Sequence, residues 1–221
     1  MFESGKYFNK RGIFVSLFKR VVKLLFVFGL IFSGIAGFNT SKVSADSKEV
    51  NYEVLTSEQL KEINVKLEEM KNDINLQLSE GKEDVFSSRK VSFSDEPLIM
   101  AFNSVDNFNG NGFALAAQQK KNFSGYVANT FPGAGFKHTV SGWFLYGSGK
   151  IGNYDYDPYL TGPLYSKSDS TKANKLDDSV VRITSNGTFK ALKYAPVEYN
   201  TKVVIELYGS GTYRVVTAKI N

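Results

Sequence analysis

Apolar residues recur at helical spacing in one early part of the chain. They follow one another at intervals of three and four residues, with mostly Glu, Lys, Asn and Gln between them: Leu60, Ile63, Leu67, Met70 and Ile74. This spacing places them along one side of an α-helix. Thr56 fits the N-cap, Gln59 stands three residues later in the capping-box position, and Gly81 is a typical stop.

The same apolar stripe fits two arrangements. It covers about three heptads, the minimum for a coiled coil that would form a dimer or a stalk. Three more apolar residues widen the stripe beyond a coiled-coil seam: Val65, Leu76 and Leu78. A wider stripe favours a helix that packs on the following domain, or that acts as a spacer.

Downstream, the pattern changes to that of antiparallel strands. The polar stretch 81–97 is predicted as a linker with a short strand at Val91–Phe93. After it come short apolar runs and period-two alternation, broken by Gly and Asn. The candidate strands are Leu98–Phe102, Gly112–Ala117, Phe123–Ala128, Phe136–Tyr146, Lys150–Tyr156, Ser179–Thr184, Phe189–Tyr194, Lys202–Tyr208 and Tyr213–Ile220.

Turn signals separate several of these strands. Asn186-Gly187 predicts a tight hairpin, and Asn109-Gly110-Asn111-Gly112 predicts another turn. The segment Leu145–Gly149 (LYGSG) recurs as Leu207–Gly211, which fits either two hairpins with similar loops or one ligand rim built from both. The sequence therefore predicts a mainly β fold, an antiparallel β-sandwich or barrel-like domain, preceded by one amphipathic helix.

The first 45 residues have the pattern of an N-terminal signal peptide. Six basic residues precede an apolar run from Leu24 to Phe38, and Val43-Ser44-Ala45 offers small residues where signal peptidase cuts. The run is shorter than the ~20 residues that span a bilayer. We expect cleavage after Ala45 and a secreted protein; a retained leader that anchors the N-terminus in the membrane is the alternative.

These patterns divide the chain into three parts. They are the signal peptide at 1–45, the amphipathic helix and linker at 46–97, and a β-sandwich-like domain at 98–221. Seven of the 27 basic residues but only one of the 22 acidic residues lie in the leader, which leaves 20 basic and 21 acidic residues after it. The positive charge therefore belongs to the leader, and no nucleic-acid partner is expected.

The chain has no cysteine, which excludes disulfides, a thiol nucleophile, Cys-ligated zinc and a lipid anchor on cysteine. His138 is the only histidine, and beside Lys137 it is predicted to be a surface or edge residue. No Gly-x-Ser-x-Gly motif accompanies it, and no nucleotide-binding loop is present. We therefore assign no catalytic residues and expect no cofactor, with one exception.

That exception is calcium. Asp155 and Asp157 form an Asp-x-Asp pair whose carboxylates point to one side of an extended strand, while Tyr154 and Tyr156 point to the other. Calcium prefers such oxygen ligands, but no EF-hand spacing surrounds the pair. The absence of that spacing favours a solvated strand edge or turn over a calcium site.

Aromatic residues crowd the same stretch and supply the candidate ligand-binding residues: Trp143, Tyr146, Tyr154, Tyr156 and Tyr159. Exposed rings stack on sugars or pack on partner proteins, whereas about half of the residues in a sandwich strand face the core. The tyrosines around Asp155 are predicted to lie at the surface because their neighbours are polar.

The layout resembles small exported proteins of Gram-positive bacteria with a C-terminal β domain of unknown function. The resemblance rests on the leader, on Val43-Ser44-Ala45-Asp46 and on the tract around Gly142-Trp143. We expect a non-catalytic extracellular or cell-surface binding protein, with cell-wall carbohydrate or a surface protein as partner. The alternatives are a secreted hydrolase of an extracellular polymer, using His138 or the Asp155/Asp157 pair, and a secreted toxin or bacteriocin-like effector.

Overall fold

The computed structural model describes residues 54–107, 118–132, 135–191 and 197–221. These residues belong to one compact unit. The predicted leader, the predicted turn at 109–112 and the predicted strand Gly112–Ala117 lie outside the described residues. No helix among the described residues is long and apolar enough to cross a membrane.

The described part of the chain is mainly β, with one helix and two antiparallel sheets. The helix α1 spans Ser57–Ser79. The strands are β1 (Asp84–Val91), β2 (Ser94–Asn107), β3 (Gln119–Asn129), β4 (Phe136–Gly147), β5 (Lys150–Thr161), β6 (Tyr165–Asp177), β7 (Val180–Ala191), β8 (Glu198–Tyr208) and β9 (Tyr213–Ile220). One sheet has the order β1-β2-β3-β4-β5 and the other β6-β7-β8-β9, so each strand pairs with its neighbour in sequence.

Helix α1 begins and ends where its sequence signals predict. The Thr56 hydroxyl accepts from the backbone N–H of Gln59 at 3.2 Å, and the Gln59 side chain accepts from the Thr56 N–H at 2.7 Å. Gly81 has a φ of 79°, a conformation that suits glycine after a helix. The stripe packs on the domain, as favoured, but the residues that widened it are not among its buried members, which are Ile63, Leu67, Met70 and Ile74. Val65 and Leu76 are exposed.

Side-chain amides on α1 hydrogen-bond to the free edge of β9. Asn64 donates to the Ile220 carbonyl at 2.7 Å and accepts from its N–H at 3.1 Å. Asn75 makes the same two contacts with Val215, at 2.7 and 2.9 Å. The two asparagines are about 16 Å apart along the helix, which matches five residues of strand. The helix thereby satisfies the backbone groups of Val215 and Ile220 that an edge strand would leave open.

The predicted linker 81–97 is wrong, because it contains β1 and the start of β2. The sequence hides β1 since its inner side is partly polar: Ser87 is buried and donates to Asp73 of the helix at 3.0 Å. The helix also contacts β1, an edge strand of the other sheet: the Gln77 side chain donates to the Phe86 carbonyl at 3.0 Å. Helix α1 therefore lies along β1 as well as β9.

The predicted hairpin at Asn186-Gly187 is also wrong, because β7 runs through it without a turn. Gly187 serves a different purpose, which is close approach. A Cβ there would lie 2.7 Å from Thr201 Oγ1, 2.8 Å from Leu160 and 3.2 Å from His138 Nδ1. The strand β6 was not predicted, because nearly all of its side chains are polar and exposed, as suits an edge strand.

Inward-facing aromatic rings of the two sheets pack on one another. Phe136 on β4 stacks on Phe189 of β7, with ring centroids 4.4 Å apart, and on Tyr199 of β8 at 5.7 Å. Phe123 on β3 lies 6.0 Å from Tyr213 of β9. These contacts turn one face of each sheet inward and leave the opposite faces on the outside.

Candidate binding face

Three aromatic side chains share one cross-strand row on the outer side of the five-stranded sheet. The pairing runs Phe86↔Ala101↔Tyr126↔Thr139↔Tyr159, one residue from each strand. Phe86 is 57% exposed and Tyr159 is 62% exposed, while Tyr126 is half-buried. Neighbouring strands lie about 4.8 Å apart, so successive rings in this row are about 9.6 Å apart. We call this outer side the aromatic face.

Trp143 lies on the same aromatic face, farther along β4. It is opposite Asn122 on one side and Asp155 on the other. Two lysines lie against rings of this face: Lys120 Nζ is 4.4 Å from the Trp143 ring centre and Lys137 Nζ is 4.9 Å from that of Tyr126. Such cation–π contacts hold the rings in place while the cations remain available as donors.

The two carboxylates of the Asp-x-Asp pair lie at the exposed border of the aromatic face. Asp155 and Asp157 point outward from β5, and Asp155 Oδ1 accepts from the Tyr156 N–H at 2.9 Å. Among the described residues, no group of three or more His, Asp or Glu side chains is placed to hold a metal ion. The two aspartates can instead accept hydrogen bonds from hydroxyl groups of a ligand.

The other three predicted ligand residues point toward the core. Tyr154 and Tyr156 are half-buried against it, so the prediction that they lie at the surface is wrong. Tyr146 also packs on the core, and its hydroxyl donates to Gln119 Oε1 at 2.6 Å. Burial and nearby Asp106 raise the pKa of Tyr146. The alternation of β5 places the two tyrosines opposite the two aspartates, and the second sheet covers the tyrosine side.

His138 is fully buried, so its predicted surface position is wrong. It lies in a chain of hydrogen bonds between the sheets. The Thr201 hydroxyl donates to the Gly187 carbonyl at 3.2 Å and so accepts from His138 Nδ1 at 2.7 Å. With Nδ1 protonated, Nε2 accepts from the Ser185 hydroxyl at 2.8 Å, whose oxygen lies 2.7 Å from that of Thr171.

This arrangement is that of a satisfied core histidine. Burial lowers the pKa of His138 from 6.5 to about 4, so the ring is neutral at pH 7. Ser185 is itself buried, which keeps a polymer away from its hydroxyl. Among the described residues, a hydroxyl rather than a carboxylate holds the far side of the ring, unlike a Ser-His-Asp site.

The two LYGSG segments meet at one end of the described unit. In the first, Ser148 and Gly149 form a tight turn with φ of 51° and 74°. In the second, the turn is longer, and the Tyr208 N–H donates to the Thr212 carbonyl at 2.9 Å. A Cβ on Gly209 would collide with the backbone of Gly149. The repeat therefore serves close packing of two different turns, which the sequence could not show.

Sequence reasoning missed Phe86 and Tyr126 as members of the aromatic face. A signal was present for Tyr126, because Phe123, Gly125 and Val127 alternate with it and so assign it to the opposite side of β3. For Phe86 the signal was hidden, since 84–91 was predicted as a linker. If a strand had been predicted there, the alternation of side chains would have placed Phe86 on the side of the sheet opposite to Val85 and Ser87.

No family model, curated protein or solved structure matches the chain. The resemblance to small exported Gram-positive proteins therefore stays a prediction.

Proposed function

We propose that this chain is an exported, non-catalytic binding protein of the extracellular space or the cell surface, and that its ligand is an extended carbohydrate chain. The observation that carries the proposal is the row of Phe86, Tyr126 and Tyr159 across the five strands of the aromatic face. In this proposal the leader directs export, and the two sheets are the layers of a β-sandwich.

The geometry of the aromatic face suits a linear polymer better than a small molecule. Rings at a spacing of about 9.6 Å would contact every second sugar of an extended chain, because two strand spacings are close to the length of a disaccharide. Ala101 and Thr139 lie between the rings in this row, and their small side chains leave the surface between the rings accessible. The C–H faces of sugars pack on such rings, and the hydroxyl groups find Asp155 and Asp157 at the border.

A surface protein is the competing partner for the same rings. Interfaces between proteins bury a continuous apolar centre, whereas here the row of rings is flanked by polar residues, because Ser124 and Ser141 lie beside Tyr126 and Thr139 in the next row. A face of separated rings and polar groups favours a polyol ligand. The hydrolase alternative receives no support from the buried pair of His138 and Ser185.

We expect Tyr126→Ala/Tyr159→Ala to weaken binding to purified cell-wall polysaccharide about tenfold or more, since both ring contacts are lost. Val65→Ala/Leu76→Ala on α1 removes two exposed apolar side chains elsewhere and should leave the affinity unchanged. Isothermal titration with soluble polysaccharide fragments measures both. Equal affinities for wild type and the tyrosine variant, with both proteins folded by near-UV circular dichroism, would refute the proposal.

Tyr154→Ala and Tyr156→Ala are not suitable probes of ligand contact. Each removes a ring packed on the core, so we expect a loss of about 2–4 kcal/mol in the free energy of unfolding. Urea denaturation followed by tryptophan fluorescence measures that loss. A change below about 0.5 kcal/mol would show that the inward position of these rings is mistaken.

A further inference from the structure

The outer side of the four-stranded sheet has a charge opposite to that of the rest of the domain. Its cations outnumber its acids two to one: Lys172, Arg182, Lys190, Lys202, Arg214 and Lys219 against Asp177, Glu198 and Glu206. Apart from these nine residues, the sequence after the predicted leader carries 14 basic and 18 acidic residues. We call this outer side the basic face. The basic face concentrates positive charge, which the near-zero net charge of the sequence after the leader conceals.

Two lysines of the basic face oppose each other without a counter-charge. Lys202 on β8 pairs directly with Lys219 on β9, and both are exposed. Like charges at opposed positions destabilise a sheet. Within the part of the chain that the structure describes, neither forms an ion pair, and the two acids beside Lys219 on the helix, Glu68 and Glu69, pair with Lys71 and Lys66.

Two arginines of the same face are held in fixed positions. Glu206, with its side chain only 4% exposed, accepts from Arg182 Nε at 2.9 Å and from Arg214 Nε at 2.9 Å. Tyr208 donates to the same carboxylate at 2.6 Å, and these hydrogen bonds outweigh burial and lower the pKa of Glu206 to about 2. The carboxylate is therefore charged at neutral pH, and it orients both guanidinium groups.

The outer edges of these guanidinium groups remain available. Each has five N–H donors and gives two groups, Nε and Nη2, to Glu206. Arg182 is 41% exposed and Arg214 is 56% exposed. One carboxylate balances only one of the two arginine charges, so one positive charge with free N–H donors stays on the surface. On the outer side of β8, Val204 lies next to Glu206, and Lys202 is the next residue after Val204.

Most of the remaining residues of the basic face carry hydroxyl or amide groups. They are Ser166, Ser168, Ser170, Asn174, Thr184, Asn186, Thr188, Asn200 and Thr217. Donors and acceptors that lie between spaced cations match a polymer that has both hydroxyl groups and regularly spaced anions. We propose that the basic face binds one kind of partner, a hydroxyl-rich polymer with regularly spaced anionic groups, through Lys172, Lys202, Lys219 and the Arg182–Arg214 pair.

Two other anionic partners fit this face less well. Single-stranded nucleic acids bind through several aromatic rings on which successive bases stack, whereas Tyr208 is the only aromatic side chain described on this face. Membrane surfaces are bound by basic residues together with inserted apolar side chains, and the exposed large apolar residue at this sheet is Leu176 alone, among the described residues. Hydroxyl-rich polymers need neither feature.

The test compares two variants of equal net charge. Lys172→Ser/Lys202→Ser removes two cations of the basic face, and Lys82→Ser/Lys90→Ser removes two exposed cations outside it. The two variants are otherwise identical in sequence, so a difference in their affinities measures the contribution of the basic face. Biolayer interferometry measures binding to alginate (a polyuronate) and to poly(glycerol phosphate), with neutral dextran, DNA and phosphatidylserine vesicles for comparison.

We expect Lys172→Ser/Lys202→Ser to weaken binding to at least one of the two acidic polymers about tenfold at low salt, and Lys82→Ser/Lys90→Ser to stay within about twofold of wild type. Which polymer binds more tightly distinguishes carboxylate from phosphodiester ligands. Equal losses in both variants, tighter binding to DNA or to vesicles, or binding to neither acidic polymer would overturn the proposal.

Two further readouts keep this test independent of folding and of the aromatic face. Because Lys202 opposes Lys219, its removal should leave the melting temperature unchanged or raise it, whereas a purely structural role would lower it. Tyr126→Ala/Tyr159→Ala should bind the acidic polymers as wild type does. A loss there would place the polymer on the aromatic face and contradict this proposal while leaving the proposed function standing.

Discussion

Lowering the pH from 7 to 4 is expected to reduce the free energy of unfolding by about 3 kcal/mol through His138 alone. Burial lowers the pKa of His138 from 6.5 to about 4. Between these two values the unfolded chain binds a proton that the folded chain does not bind. The stability contributed by the neutral ring is therefore present above pH 6.5, falls as the pH decreases, and is lost near pH 4.

This effect can be isolated because His138 is the only histidine in the chain. Urea denaturation at pH 7 and pH 5 should show a loss of about 2 kcal/mol in wild type over this interval, before most carboxylates titrate. His138→Gln keeps a polar side chain at this position but binds no proton, so its stability should change much less between the same pH values. An equal pH dependence in both proteins would show that the ring is not buried in neutral form.

Loss of the helix contacts to β9 is expected to have the second large effect. Asn64→Ala and Asn75→Ala each leave one backbone N–H and one C=O of the edge strand without a partner, at a cost of about 1–3 kcal/mol each. The double variant should also aggregate, because the exposed edge of β9 becomes available for pairing with another chain.

Asn72→Ala is the matched control for these variants. Asn72 lies on the same helix, is exposed and, among the described residues, makes no hydrogen bond to β9, so its replacement removes an amide of the same kind without freeing the edge. Thermal unfolding and light scattering at equal concentration measure stability and aggregation. If Asn75→Ala unfolds at the same temperature as Asn72→Ala, the amides are not needed to satisfy the edge of β9.

The candidate binding face was predictable in part. The alternation around Asp155 correctly separates the two aspartates from Tyr154 and Tyr156, because side chains alternate along any strand. Which of these two sides faces solvent depends on where the second sheet lies, and no local pattern contains that information. Polar neighbours suggested that the tyrosines were exposed, but those neighbours were on the opposite side of the strand.

The amino-acid sequence by itself determined helix α1, its cap at Thr56, its end at Gly81, and most of the strands. These features depend on neighbours within a few residues, through capping hydrogen bonds and the periodicity of apolar side chains. Tertiary structure alone decided that Asn186-Gly187 lies within a strand. Because Gly187 has no Cβ, His138 and Thr201 can approach its backbone closely.

Tertiary structure also decided where the functional groups meet. The aromatic row combines residues from five strands, and the basic face combines residues from four, which pair only once the register is set. The charge balance of the whole sequence concealed the basic face because acids elsewhere cancel it. Local rules specify the elements, whereas the sheets bring distant side chains together and separate the charges.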